Sequence, residues 1–348
     1  MELPFDKILI TGASGSLGRQ LVHDFTRLGV QPIAQVRATS NITYLEQHKL
    51  ELRQADFGQD ADLSRLVDGV DAIIHTAAWV NFRRDRLTQF TQINALAATN
   101  LFRSAQKAGV KRFVHVSTVA AVGAMERRLL IDKQVVGDAF IADEDTPFNL
   151  GGLRIPYIMT KHAAELELLE LADEGRTELV IVNPSIIVAP SRSGDDRSKA
   201  RRRLGRWILP DLANRVNLVD IRDVSSGIVA ALAKGRHRQR YILGGDNISG
   251  RDLFLAISSH LDKTPHLVGI PRPLLNLAAR AAVFLSKLRG RAKVSFYPDI
   301  VRMLDYDWAY SSLKARRELG YRSRSVHASL QDLLTNSFSG TYMKPSQP

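Results

Sequence analysis

Tyr157 and Lys161 are four residues apart, in Tyr157-Ile158-Met159-Thr160-Lys161. On a helix that spacing puts a phenol and an ammonium on one face. A cation beside a phenol favours the phenolate, so Lys161 is expected to bring Tyr157 from about 10 toward working pH, as an acid or a base. Far upstream, Thr11-Gly12-Ala13-Ser14-Gly15-Ser16-Leu17-Gly18 follows the apolar run Ile8-Leu9-Ile10 and precedes an amphipathic segment. A strand entering a glycine-rich turn and then a helix is a site for a dinucleotide pyrophosphate. Either feature alone says little; together they imply hydride transfer.

The elements that must carry these residues alternate. Short apolar runs at Lys7–Thr11, Ile33–Val36, Glu51–Gln54, Asp71–His75, Arg112–Ser117 and Leu179–Val182 read as strands. Between them lie helical patterns at Ser16–Leu28, Ala61–Val67, Asp85–Ala108 and around Tyr157, with Gly29, Gly69 and Gly109 as stops. The alternation predicts a doubly wound α/β fold, a parallel Rossmann sheet covered on both faces. Beyond Pro184 a helix is expected at Asp223–Lys234, a returning strand at Tyr241–Leu243, and a helix from about Arg251 to Leu261 capped by Ser249. The expected division is a dinucleotide-binding domain over 1–184, with returning elements at about 214–245. A smaller C-terminal substrate-binding lobe takes 185–213 and 246–348.

The cofactor's identity turns on the end of the second strand. Arg37 stands there, followed by Ala38, Thr39 and Ser40, with no carboxylate to grip a ribose 2′-hydroxyl. A guanidinium offers a bidentate fork to a 2′-phosphate, so NADP(H) is expected before NAD(H). Trp79, Val80 and Phe82, past the fourth strand, would present apolar surface to a substrate. His75 and His115, each inside a strand, read as packing residues rather than bases.

In order and spacing the chain resembles the extended short-chain dehydrogenase/reductases, the NAD-dependent epimerase/dehydratase type. The likeness rests on the glycine pattern, Asp56-Phe57, His75-Thr76-Ala77-Ala78, Asn94, Ser117-Thr118, Tyr157/Lys161, Asn183-Pro184 and the tail Asp307-Trp308-Ala309-Tyr310-Ser311. The Arg37 turn and Asn183-Pro184 look most like the dihydroflavonol reductase and 3β-hydroxysteroid dehydrogenase branch. The resemblance implies Tyr157, Lys161, Thr118 and Asn94 as catalytic residues. Thr118 would hold the substrate oxygen with Ser117 as competitor, Lys161 the nicotinamide ribose, and Asn94 would order a relay water. Cofactor contacts are implied at Thr11, Gly12, Ser14, Gly15, Ser16, Leu17, Gly18, Arg37, Asp56, Phe57, Thr76, Ala77, Ala78, Tyr157, Lys161, Asn183, Pro184 and Ser185. Substrate contacts are implied at Trp79, Thr118 and Val119, and a homodimer through the two long helices. Val122 stands where the family commonly has a tyrosine, and the long 124–152 connection is expected to shape the substrate mouth.

This reading favours an NADPH-dependent reductase of a largely apolar ketone or aldehyde, or its reverse. The alternatives are an NAD(P)-dependent nucleotide-sugar epimerase or dehydratase, and a non-catalytic NADP-binding scaffold or sensor. With no Cys among 348 residues, disulfides and thiol chemistry are excluded, and no metal site is expected. The balance of 48 Lys plus Arg against 36 Asp plus Glu, a formal +12, is compatible with acidic partners. Seven cations, among them Arg192, Arg197, Lys199 and Arg206, crowd 192–206. They could hold an acidic group or carrier; no aromatic interleaving accompanies them, so nucleic acid is not expected. Leu274–Leu288 is too short and too interrupted to span a bilayer, and no secretory signal is recognisable, so a cytoplasmic location is expected.

Overall fold

The computed structural model describes residues 3–57, 62–80, 87–127, 141–173, 176–190, 208–210, 214–260, 266–269, 274–275, 277–278, 280–281 and 301–335. Its strands are β1 (Ile8–Thr11), β2 (Ile33–Val36), β3 (Leu52–Gln54), β4 (Ala72–His75), β5 (Arg112–Val116), β6 (Met125–Glu126) and β7 (Glu178–Pro184). They continue with β8 (Ile186–Val188), β9 (Ile208–Pro210), β10 (Arg215–Asp220), β11 (Gln239–Leu243), β12 (Asp246–Ser249), β13 (His266–Val268) and β14 (Tyr306–Asp307). Seven form a parallel sheet in the order β11-β7-β5-β4-β1-β2-β3, the predicted Rossmann architecture. The order reverses between β1 and β4, and a ligand crevice opens outside the carboxyl ends of the strands at that point.

Apart from its edge strand β3, the sheet is largely buried on both faces because its strands are apolar on both. Leu9, Ile73, Phe113 and Ile181 pack against Ala98, Leu101, Phe102 and Leu168 of the helices Ala97–Lys107 and Pro156–Leu171. Ile8, Ile10, Ile74, Val114 and Val180 meet Leu21 and Phe25 of helix Ser16–Arg27, and Val224 and Ile228 of helix Ile221–Lys234. Each such aliphatic or aromatic side chain stabilises the fold by about 1.5–3 kcal/mol. On the first of these faces apolarity stops abruptly at the cleft. Two residues beyond Leu9, Ile73 and Phe113 come Thr11, His75 and His115, mutually in register across β1, β4 and β5.

Several elements differ from the sequence expectation. The long helix before β5 is helical over Leu87–Lys107 but contains a π-helical turn, Thr91–Leu96, which no composition signal marks. The helix expected at 61–67 runs only over Ser64–Val67; Asp62 and Leu63 are not helical. Helix Ile221–Lys234 begins earlier than expected, because the Asp220 side chain accepts from Arg222 N and caps it. Ser249 caps its helix as expected, accepting from Asp252 N, and the helix runs Gly250–Ser259. Gly29, Gly69 and Gly109 take φ of +78°, +62° and +73°, the left-handed turn expected at their stops.

Residues 215–220, assigned to the returning elements, instead form β10 in a three-stranded sheet ordered β12-β10-β8. Conversely, Ala315, Leu319 and Tyr321, expected in the lobe, pack into the main core. No helix of the described residues is long and apolar enough to cross a membrane. Basic segment 192–206, Phe82 and most of Leu274–Leu288 lie outside the described residues.

Candidate active site

The glycine loop is built by close approach. Gly12 has φ +66°, and a Cβ there would lie 3.0 Å from Ala77 Cα and from Thr76 Oγ1. A Cβ on Gly18 would lie 2.3 Å from Gly12 O and 2.7 Å from Ala13 Cα. The helix therefore starts tight against the turn, with Gly15 as an N-cap that brings no side chain. Gln35, which sequence reasoning passed over, fixes this turn from below. It is buried, its Oε1 accepts from Gly12 N at 2.8 Å, and its Nε2 donates to Ala55 O at 2.6 Å. The signal was available: one amide inside the apolar run Ile33-Ala34-Gln35-Val36.

At the other end of the cleft, Pro156 opens the 16-residue helix that carries Tyr157 and Lys161, as their spacing predicts. Thr118 and Tyr157 both line the cleft, and the Thr118 hydroxyl is the neighbour that draws the phenol's pKa down. Lys161 is 1% exposed, and its Nζ donates to Val116 O at 2.8 Å and lies 3.2 Å from His115 Nε2. Burial brings its pKa down to about 8, with Glu165 pulling the other way. That shift corresponds to about 3 kcal/mol against the charged form.

One electrostatic expectation is corrected. Burial pushes the Tyr157 phenol up, opposed by the Thr118 hydroxyl, and Lys161 is not among the groups that bring it down. The ammonium sits on Val116 O and His115, and the cost of a buried phenolate prevails. His75 and His115 are both buried. Burial, then the Lys161 charge, holds His75 at about 3, and His115 well below the ordinary imidazole range.

These elements enclose a cavity of about 1170 Å³. Its walls include Gly12, Gly15, Ser16, Leu17 and Gly18 of the loop, and Arg37, Asp56 and Phe57 beyond β2 and β3. They also include Thr76, Ala77, Ala78 and Trp79, then Thr118, Val119, Tyr157, Lys161, Pro184 and Ser185. Four other expected contacts do not line it. Thr11 turns its hydroxyl to His75 Nδ1 at 2.8 Å, and Ser14 donates to Ser40 Oγ at 3.3 Å. Asn183 donates to Thr118 O and to Glu165 Oε1, at 3.0 and 2.7 Å. Asn94, in the π-helical turn, accepts from Trp79 N at 2.7 Å and donates to Trp79 O at 3.0 Å. Its amide clamps the Trp79 peptide.

The described part of the 124–152 connection does not line the cavity either. It pairs β6 with β14 and so supports the wall formed by Met303, Leu304 and Trp308, which sequence reasoning did not find. Asn214 ties that wall down, donating to Leu304 O at 2.8 Å and Tyr306 O at 2.7 Å.

The donor set fits a pyridine dinucleotide. An uncapped helix start faces the crevice, and the buried Ser117 Oγ and Ser185 Oγ at the cavity wall have no hydrogen-bond partner. No group of His, Asp and Glu able to hold a metal occurs among the described residues. A Rossmann sheet with a Tyr–Lys–Thr cluster at its crevice defines a short-chain-type dehydrogenase/reductase.

The chain belongs to the NAD-dependent epimerase/dehydratase family, whose description matches residues 8–244. It is thus an NAD(P)-dependent enzyme acting on alcohol or carbonyl groups, of the extended short-chain dehydrogenase/reductase kind. It is 31% identical to a Synechocystis protein named "Putative dihydroflavonol 4-reductase", over 94% of this chain and 93% of that one. It is 28% identical to "Sterol demethylase protein B" of Methylococcus capsulatus, over 93% and 96%. Among solved structures, that of gox2253 superposes with a TM-score of 0.77 at 28% identity, covering 95% of this chain and 97% of the other.

Proposed function

We propose that the protein is an NADPH-dependent reductase of a ketone or aldehyde on a largely apolar substrate, or catalyses the reverse oxidation. The observation that carries this is one cavity lined by Tyr157, Thr118 and buried Lys161 together with an apolar wall of Trp79, Val80, Ile186, Leu304 and Trp308. A bound NADPH supplies the hydride that goes to the carbonyl carbon. Tyr157 gives its proton to the carbonyl oxygen, which Thr118 holds as charge develops there. Lys161 would hold the nicotinamide ribose. Oxidation of the alcohol runs the same proton back to Tyr157. The names of the Synechocystis and Methylococcus relatives, "Putative dihydroflavonol 4-reductase" and "Sterol demethylase protein B", support a polycyclic apolar substrate.

The test is a panel of carbonyl compounds followed by loss of NADPH absorbance, with nucleotide sugars included. Consumption of NADPH with apolar ketones is the expected result. Conversion of a nucleotide sugar without net NADPH consumption would replace this reading with epimerase or dehydratase chemistry. Binding of NADPH with no conversion of any compound would leave a sensor.

NADP preference is proposed on Arg37, an exposed residue at the cavity's edge, with Ser40 beside it accepting from Arg37 N at 3.1 Å. Arg37→Ala should weaken NADPH about 10-fold to 100-fold in fluorescence titrations and leave NADH nearly unchanged, since a fork to a 2′-phosphate is worth about 1.5–3 kcal/mol. Equal losses for both cofactors would remove Arg37 from this role.

A homodimer is proposed on the outer faces of helices Ala97–Lys107 and Pro156–Leu171. Leu96, at the start of the first, and Met159 and Leu166 on the second are exposed at 41%, 40% and 52%. Light scattering should return twice the 38.7 kDa chain mass, and Leu166→Arg should halve it. A monomeric wild type would dismiss the interface.

A further inference from the structure

We propose that His115 is a positioning residue for Lys161, its neutral Nε2 accepting from the ammonium and holding it in place at the cleft, one helical turn from Tyr157. The inference rests on the reading of Lys161 as the partner of cofactor and phenol, and deepens it. His115 is fully buried in β5, and its ring is the side chain against which Lys161 Nζ rests, 3.2 Å away. The second partner is a carbonyl, Val116 O, at 2.8 Å. A carbonyl accepts in any state; an imidazole nitrogen accepts only if the ring is neutral and its proton is on the other nitrogen. Both conditions are built in. Burial, the Lys161 charge and His75 all keep the His115 ring from gaining a second proton.

The assignment of the proton follows from the partners. His115 Nδ1 is buried with no hydrogen-bond partner, so Nδ1 does not compete for the tautomer, and Lys161 sets it. Packing alone does not call for a histidine here. The ring stacks on His75 at 5.6 Å and has Phe113 two residues earlier on the same face, where phenylalanine is buried without an orphaned nitrogen. A histidine at 115 leaves one polar atom unsatisfied, and what it gains in exchange is the contact with Lys161.

The charged and titratable neighbours are few. His75 faces His115 from β4 and donates or accepts only at Thr11 through Nδ1. On its own helix Lys161 has Tyr157 one turn before and Glu165 one turn after. Glu165 is engaged by Asn183 and lies 2.7 Å from Arg240 of β11. The packed turn Thr91–Leu96 contains no ionisable residue. Removing the acceptor at 115 therefore leaves the ammonium with Val116 O and the more distant Glu165. The charged form of Lys161 becomes costlier, and it loses its proton at lower pH.

His115→Phe keeps the ring volume and the stack on His75 while deleting the acceptor; His115→Gln restores an acceptor near the Nε2 position. In the Phe variant the alkaline fall in NADPH affinity, followed by cofactor fluorescence from pH 6 to 10, should move down by about one pH unit. In the Gln variant it should return to within a few tenths of the wild-type position. Where a substrate is turned over, kcat/KM should follow the same displacement, with the loss larger at pH 9 than at pH 6. In the intact protein labelled with 15N-histidine, the resonance lost in His115→Gln should be a neutral Nδ1–H tautomer from pH 6 to 9. It should shift in Lys161→Met. A Phe variant that melts cooperatively and keeps the wild-type pH profile overturns the proposal, and so does an Nε2–H tautomer at position 115. Should the Phe variant not fold, the tautomer measurement on wild-type protein decides alone. Cofactor titration and NMR need no substrate, so a failure of the reductase reading leaves this test intact.

Discussion

Tyr157→Phe should lower kcat for carbonyl reduction by about 10³-fold or more, while NADPH affinity stays within about twofold of wild type. A loss of that size is about 4 kcal/mol of transition-state stabilisation, near what one positioned acid supplies. The substitution is close to isosteric. The Tyr157 ring packs at the edge of a cluster formed by Leu153, Ile155, Ile158 and Phe148, and a phenyl ring keeps those contacts. The Thr118 side chain still accepts from Ala120 N at 3.4 Å. Folding should therefore be little changed, and the effect should be confined to the proton. Stopped-flow mixing with preformed NADPH complex isolates the chemical step. Full activity in the Phe variant would end the assignment of Tyr157 as acid.

The pH behaviour of the wild type has a sign that follows from the site. Burial keeps the Tyr157 phenol protonated through neutral pH, which suits it to donate in reduction. Lys161 carries its charge below about 8 and loses it as the pH rises through that value. Reduction should be fastest on the acid side of 8 and fall above it. The same depressed lysine penalises the folded state below pH 8, and that penalty is relieved between about 8 and the ordinary lysine value.

What was legible in the sequence was whatever local spacing dictates. Tyr157 and Lys161 share a helix face because 3.6 residues make a turn, and Gly12, Gly15 and Gly18 declare a turn by lacking side chains. Strand runs of Ile, Leu and Val announce a sheet buried on both faces. Less legible was how polar residues spend their hydrogen bonds. Asn94, Asn183, Thr11 and Ser14 stand at positions that the resemblance ties to cofactor or relay, and each hydrogen-bonds a neighbour 15 or more residues away. Such pairing is set by tertiary distance and has no local pattern. The cavity's far wall was hidden for the same reason. Met303, Leu304 and Trp308 reach it through distant pairings, β14 with β6 some 180 residues earlier and Trp308 N with Arg215 O, too short to leave a signal. Gln35 and His115 could have been caught: each is a polar residue interrupting an apolar strand, which is a demand for a buried partner.

Gly18→Ala should raise the NADPH dissociation constant by about 100-fold or more, about 3 kcal/mol, through a single added methyl group. The methyl would meet Gly12 O at 2.3 Å and Ala13 Cα at 2.7 Å, both backbone atoms that no rotamer change can move aside. Either the helix Ser16–Arg27 retreats from the turn or the turn opens. Both outcomes displace Gly12 O, which accepts from Gly15 N at 2.9 Å, and with it the Gly12 N–H that Gln35 holds. The amides that should face a pyrophosphate then no longer converge. Overpacking of this kind costs about 1–3 kcal/mol of folding stability, so a melting point lower by a few degrees is expected as well. Gly29→Ala separates the two effects. Gly29 has φ +78° but nothing within 4 Å of an added Cβ, so its substitution strains the backbone without touching the cleft. That variant should melt earlier and bind NADPH with wild-type affinity. A Gly18→Ala protein that binds as tightly as Gly29→Ala would mean that the cofactor lies elsewhere than on this turn.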